Sequence, residues 1–197
     1  MTQARAMADL VGGSVPALTR KYYDVVNVAT ANKAEFTNIP STAKRIVVDC
    51  IDIGTDIGND PGTLAFLVSV GGSYVTTGYD GHGYYTAGDS TAVGSESRTA
   101  SGSGVGDNLR VFFWSGADNR RTEGSFVVDL IDSANYIYKL SFRGHTILNG
   151  DDHANSNYAH VNSFAFIDLS GPIDKVKIEL DAAGAIDHGS AIAYYEI

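Results

Sequence analysis

The densest group of side chains capable of recognition in this 197-residue sequence lies between residues 74 and 85, where Tyr74, Tyr79, Tyr84 and Tyr85 are interleaved with glycines and His82. Tyrosines on glycine-rich segments offer flat, amphipathic faces that suit a sugar or a protein partner. Tyr79, His82, Tyr84 and Tyr85 are therefore the candidate contacts to a partner or receptor; the alternative is that these rings pack on their own sheet. Asp56, Asn59 and Asp60 form one oxygen-rich turn and Asp151, Asp152, Asn155 and Asn157 another, the ligand type calcium prefers. Neither has EF-hand spacing, and Asp and Asn also form turns by bonding their own backbone. The five histidines, His82, His145, His153, His160 and His188, would have to converge in space to hold a transition metal. No metal or cofactor is expected.

The sequence has no P-loop, nucleophile elbow, HExxH motif or Cys/His ligand spacing. Asp151-Asp152 does not suit a glycosidase pair: neighbours on a strand face opposite ways, and in a turn both are solvated. The expectation is a protein without catalytic turnover. A net charge of −9 and a pI near 4.8 argue against nonspecific binding of nucleic acid or of anionic membranes. Cys50 is the single cysteine, which excludes an intrachain disulfide, and its apolar neighbours suggest a small buried hydrophobe. No stretch reaches the roughly 20 apolar residues of a membrane helix. The opening MTQARAMADLVGG lacks the uninterrupted apolar core of a secretory signal, so synthesis in a cytoplasm is expected.

The elements that would position these residues are mostly extended. Ala4, Met7, Ala8 and Val11 mark a helical stripe, ended by Gly12-Gly13. A helix of about ten residues is too short to stand alone, so Met7 and Val11 are the candidate assembly contacts. From there strands are predicted over Tyr22–Ala29, Arg45–Ile51, Leu64–Val70, Arg110–Trp114, Ser125–Ile131, Tyr136–Arg143, Ser163–Leu169, Val176–Leu180 and Ala191–Tyr195, separated by turn signals such as Gly71-Gly72 and Asn149-Gly150. The predicted fold is an all-β, antiparallel β-sandwich, jelly-roll-like, with a short N-terminal helix. Residues 1–20 are read as helix and linker for attachment or trimerisation, and residues 21–197 as the sandwich. Its expected core comprises Val47, Val48, Leu67, Phe112, Phe126, Val128, Leu140, Phe142, Phe164, Phe166, Ile178 and Ile192. Gly88–Asn108, without aromatics, Leu or Ile, is expected to be a long loop.

Four segments resemble tail-fibre and virion appendage proteins of tailed bacteriophages. TQARAMADLVGG resembles the short helical lead-in to fibre head domains. Phe36-Thr37-Asn38-Ile39-Pro40-Ser41-Thr42-Ala43-Lys44-Arg45-Ile46 resembles their F-x-x-I-P-x-x-Y/A-K-x-I approach to a core strand. Thr76-Thr77-Gly78-Tyr79-Asp80-Gly81 resembles a recurring T-S/T-G-Y turn. Asp187 to Glu196 resembles the closing F-D-x-G-S-I-x-I-L-Y-E strand, with Tyr194-Tyr195 in place of its aliphatic pair and no fibrous shaft present. The resemblance implies a structural and adhesive virion protein, a tail fibre, spike or tip that contacts other virion proteins and a host surface glycan or protein. A capsid-decorating head fibre or cement protein and a carbohydrate-binding lectin are the alternatives; a depolymerase is a third. It also implies a homotrimer, for which Tyr22, Tyr23, Tyr194 and Tyr195 are further interface candidates. A monomer with its helix folded back on the sandwich is the competing state.

Overall fold

The computed structural model describes residues 20–22, 26–27, 33–55, 63–87, 93–98, 109–112, 120–147, 158–180, 186 and 188–197. They form fourteen strands: β1 (Arg20–Tyr22), β2 (Val26–Asn27), β3 (Lys33–Phe36), β4 (Arg45–Thr55), β5 (Thr63–Val70), β6 (Ser73–Tyr74), β7 (Asp80–Ala87), β8 (Val93–Arg98), β9 (Leu109–Phe112), β10 (Arg120–Asp132), β11 (Ile137–Ile147), β12 (Tyr158–Asp168), β13 (Lys175–Leu180) and β14 (His188–Glu196). Alternation sets their faces. In β13, Val176 and Ile178 are fully buried while Lys177 and Glu179 flank them on the wetter side.

The strands build two antiparallel sheets packed as a sandwich. The larger runs β1-β14-β4-β10-β11-β12-β7-β8, with β2 also on β14; the smaller runs β3-β13-β5-β6, with β9 also on β5. The chain crosses repeatedly between them: β3, β5, β9 and β13 belong to the small sheet and lie in sequence between members of the large one. Two hairpin-bearing segments widen the large sheet past β10. The first supplies β11 and β12, the second β7 and β8, and they meet where β12 pairs with β7.

The core is held by rings from both sheets. Phe66 of β5 stacks on Phe126 of β10 with centroids 4.7 Å apart and planes 10° from parallel. Phe126 in turn meets Phe142 of β11 at 4.7 Å and 50°. All three are essentially inaccessible, as are Ile53, Leu64, Val68, Leu140, Val176 and Ile178. Two glycines make room for the third ring. Gly124 and Gly144 face each other across β10 and β11; a Cβ on Gly144 would lie 2.1 Å from the Glu123 carbonyl oxygen, and one on Gly124 would lie 2.7 Å from Phe142 Cζ. At the β5–β6 hairpin, Gly71 and Gly72 both have positive φ, 59° and 84°, the backbone a two-residue turn of mirror type demands.

Most expected core residues are buried: Val47, Val48, Leu67, Phe126, Val128, Leu140, Phe142 and Ile178. Two expectations are corrected. Phe164 and Phe166 are 39% and 43% exposed, because the other phase of β12, Val161, Ser163, Ala165 and Ile167, faces inward. Val93–Arg98, inside the expected loop, is a strand paired with β7. Ile192 is only partly buried, and the side chain of Phe112 lies outside the described residues. No helix occurs among the described residues; the N-terminal segment with Met7 and Val11 lies outside them.

Phe126→Ala should cost roughly 3–5 kcal/mol, the range for emptying a packed aromatic site. Ile131→Ala, at a 59% exposed position, should stay within about 0.5 kcal/mol. Urea midpoints at unchanged slope give both values, and equal losses at the two positions would refute the ring stack as the centre of the core.

Candidate functional site: the outer face of the widened sheet

Antiparallel register lays three ranks across β10, β11 and β12: Ser125–Arg143–Asn162, Val127–Ser141–Phe164 and Asp129–Lys139–Phe166. Cross-strand partners share a face, and the inward phase here belongs to Phe126, Val128, Leu140, Phe142 and Ala165. The ranks therefore lie on the outer face. All of them except Asp129 line a depression of about 660 Å³. Phe164 and Phe166 meet edge to face, centroids 6.4 Å apart and planes at 75°. They leave apolar ring surface open where a solvated sheet face normally carries polar groups.

The charges around the rings are sorted. Arg45 Nε donates to Asp129 Oδ1 at 2.6 Å, and Arg45 Nη1 is 3.7 Å from Glu196 Oε2. Asp129 is thus engaged across β4 and β10, and its hydrogen bond raises the Arg45 pKa further above the ordinary guanidinium value. Ser125 Oγ donates to Asp49 Oδ1 at 2.6 Å. Arg143 Nε donates to Asn162 Oδ1 at 3.3 Å, which ties the guanidinium across to β12. Among the described residues, no carboxylate lies within ion-pair distance of Lys139 or Arg143. The lining thus combines two cations, three hydroxyls, an amide and two exposed rings. Such a set is equipped to bind through stacking and charge-assisted hydrogen bonds.

The sequence-derived candidates fall differently. Tyr79 is 3% exposed and belongs to the core, which corrects its reading as a contact residue. The Val68 N–H donates to its hydroxyl at 3.2 Å, and the hydroxyl donates to the Val75 carbonyl at 3.1 Å. It closes the turn after β6 from inside. Backbone register pairs His82 with Phe164, Tyr84 with Asn162 and Tyr85 with Val161; the side chains of His82, Tyr84 and Tyr85 lie outside the described residues. So do both oxygen-rich turns, and Met7 and Val11. His145 and His160 are cross-strand partners, and His145 Nε2 lies 3.4 Å from Glu123 Oε2, an ion pair when the imidazole is protonated. Among the described residues, no group of three His, Cys, Asp or Glu side chains is placed to hold a metal ion. Cys50 is buried, and burial, reinforced by Asp49, pushes its thiol far up in pKa.

Lys139, Arg143, Phe164 and Phe166 are the residues that sequence reasoning does not single out. The signal is present in the phase of β12. Phe164 and Phe166 alternate in step with His160, Asn162 and Asp168, a polar set, and out of step with Val161, Ile167 and Leu169. No protein-family model matches the chain, and a search of curated proteins finds no significant relative.

Tyr79 generates a pH prediction. Burial pushes its phenol up to about 12 from 10.0, with the hydrogen bond from Val68 opposing. A folded-state pKa above the unfolded one means the stabilisation is complete below pH 10 and is lost as pH rises toward 12. That loss should approach about 1.4 kcal/mol per pH unit for one proton. Denaturant melts across this window should show a shallower decline for Tyr79→Phe than for the parent, after a loss near 1 kcal/mol at neutral pH from the missing hydroxyl. Parallel declines would show that the buried phenol is not what titrates.

Proposed function

We propose that the chain is a structural and adhesive virion protein of a tailed bacteriophage, in which a jelly-roll domain presents the outer face of its large sheet to a surface. The observation that carries the adhesive part is the depression between β10 and β12, with Phe164 and Phe166 exposed beside Lys139 and Arg143. The strand order supports the architecture: β1-β14-β4-β10 against β3-β13-β5-β9 is the pattern of an eight-stranded jelly roll, a fold shared by viral capsid and lectin domains. The virion assignment rests on the resemblance described above. The resembling segment at 36–46 has Phe36, Ile39, Ala43 and Ile46 buried where the chain passes from β3 to β4. The resembling C-terminal segment contributes β14, between β1 and β4.

In this reading residues 1–20 attach or trimerise the domain through Met7 and Val11, and other virion proteins are the partners. A free lectin is the second reading, favoured by the same depression, since a lectin needs the face but no particle.

Density-gradient fractions of a lysate, probed with antibody to the chain, should show it co-sedimenting with tailed particles. Confinement to the soluble fractions would leave the lectin. Labelled protein should adhere to host cells, and Phe164→Ser with Phe166→Ser should abolish most of that adhesion. Light scattering should report a trimer, weakened by Met7→Asp and Val11→Asp; a monomer in solution with no threefold neighbours on the particle would refute that part.

A further inference from the structure

The chemistry of the depression is more specific than adhesion in general. We propose that the outer-face depression on β10, β11 and β12 binds a short carboxylated saccharide, its rings stacked on Phe164 and Phe166 and its carboxylates held by Arg143 at one end and Lys139 at the other. The proposal rests on the adhesive reading above and names its ligand class.

Three observations select that class. The site lies on a sheet face, where the backbone donors and acceptors of β10, β11 and β12 are engaged in their own ladders. Recognition must then come from side chains, so an extended peptide gains none of the main-chain hydrogen bonds it would find at an edge. A saccharide carries its polar groups on a ring whose C–H face is apolar, and the lining supplies both halves. Phe164 and Phe166 offer open ring surface; Ser141 and Asn162 offer hydrogen-bonding groups at its side. The volume of about 660 Å³ is that of a small-ligand site rather than a macromolecular groove.

Charge supplies the third. In a chain of net charge −9, Lys139 and Arg143, two ranks apart on the outer face of β11, have no carboxylate partner among the described residues. Of the acidic groups of the face, Asp49 and Asp129 are bound to Ser125 and Arg45, and Asp168 lies on β12 two residues beyond Phe166. Asp80 is the cross-strand neighbour of Phe166 and bounds the site on its far side. About 13 Å of strand separates the two cations, so each meets its own carboxylate along a short acidic saccharide. A long polyphosphate backbone would meet the repulsion of the whole acidic surface, whereas the few carboxylates of a short saccharide meet mainly the two local cations.

The test titrates the full chain calorimetrically with short oligogalacturonate, with its methyl ester, which keeps the sugar and removes the charge, and with polyglutamate. The acid form should bind and the ester should not. Arg143→Gln and Lys139→Gln should each weaken binding roughly tenfold, as for a lost charge-assisted hydrogen bond. Phe166→Ser should weaken it comparably, and Lys33→Gln, on the small sheet, should leave it unchanged. Thermal melts check that each variant is folded. Should one not fold, the salt dependence of the parent decides, because an exposed ion pair weakens with ionic strength and salt-independent binding would overturn the proposal. Equal binding of acid and ester, or preference for polyglutamate, would overturn it too. No binding of the acid, with host-cell adhesion still lost in Phe166→Ser, would overturn the ligand class and keep the adhesive reading. Acid binding with adhesion intact in that variant would do the reverse.

Discussion

The contact on which the rest of this molecule depends is the ring stack of Phe66, Phe126 and Phe142. It joins the two sheets at their centre, and it fixes phase. Once Phe126 and Phe142 point inward, every second residue of β10 and β11 must follow, and register carries the choice to β12 through the pairing of Phe142 with Ser163. A slip of one residue would reverse the faces of a strand. The glycines at 124 and 144 protect this arrangement, since side chains there would occupy space needed by the Phe142 ring or the Glu123 carbonyl. Packing in the interior thereby determines what the exterior presents.

The widening strands show the consequence. β11, β12 and β7 extend the large sheet beyond the eight strands that suffice for a sandwich, and their inner phase remains apolar: Leu140, Val161, Ala165 and Ile167 are all buried. The inner phase of β12 is built of smaller side chains than its outer phase. Ser163 and Ala165 lie inside, while Phe164 and Phe166 lie outside. Hydrophobicity alone would favour the opposite placement, because a buried phenylalanine contributes more than a buried alanine or serine. The inversion holds because Val161, Ile167 and Leu169 share the inner phase, and the polar residues His160, Asn162 and Asp168 share the outer one. The exposed rings are a cost of this phase, and a recognition face is the use such a cost admits.

The same physics explains which parts of the structure are legible in the sequence. Strands such as β13 announce themselves because Val176, Ile178 and Leu180 alternate with Lys177 and Glu179, and the burial of Val176 and Ile178 follows that rhythm. The Gly71-Gly72 turn is equally plain, since both residues need positive φ. The segment Ser163–Leu169 is ambiguous: an apolar run reads as core throughout, and only its polar neighbours reveal the phase. β8 is hidden for another reason. Val93–Arg98 has little apolar content, and its place is fixed by backbone pairing with β7, information that no local pattern holds. Tyr79 misleads because its neighbouring glycines suggest an open loop, whereas its hydroxyl satisfies two backbone groups inside the turn.

The distribution of charge completes the link from packing to recognition. On the outer face, β4 contributes Arg45 and Asp49, and β10 contributes Ser125 and Asp129; these four tie one another together across the strand pair. β11 contributes Lys139 and Arg143, and β12 answers with Asn162, the two rings and, at its end, Asp168. The boundary between the acids bound to Arg45 and Ser125 and the cations without an ion pair therefore runs along β10 and β11. It coincides with the step from the strands of the basic sandwich to those that widen it. An exposed ion pair contributes little to stability in either half, so folding does not require the asymmetry. What the asymmetry alters is the potential above the face, raised around Lys139 and Arg143 on β11 and lowered again beyond Phe166 by Asp80 and Asp168.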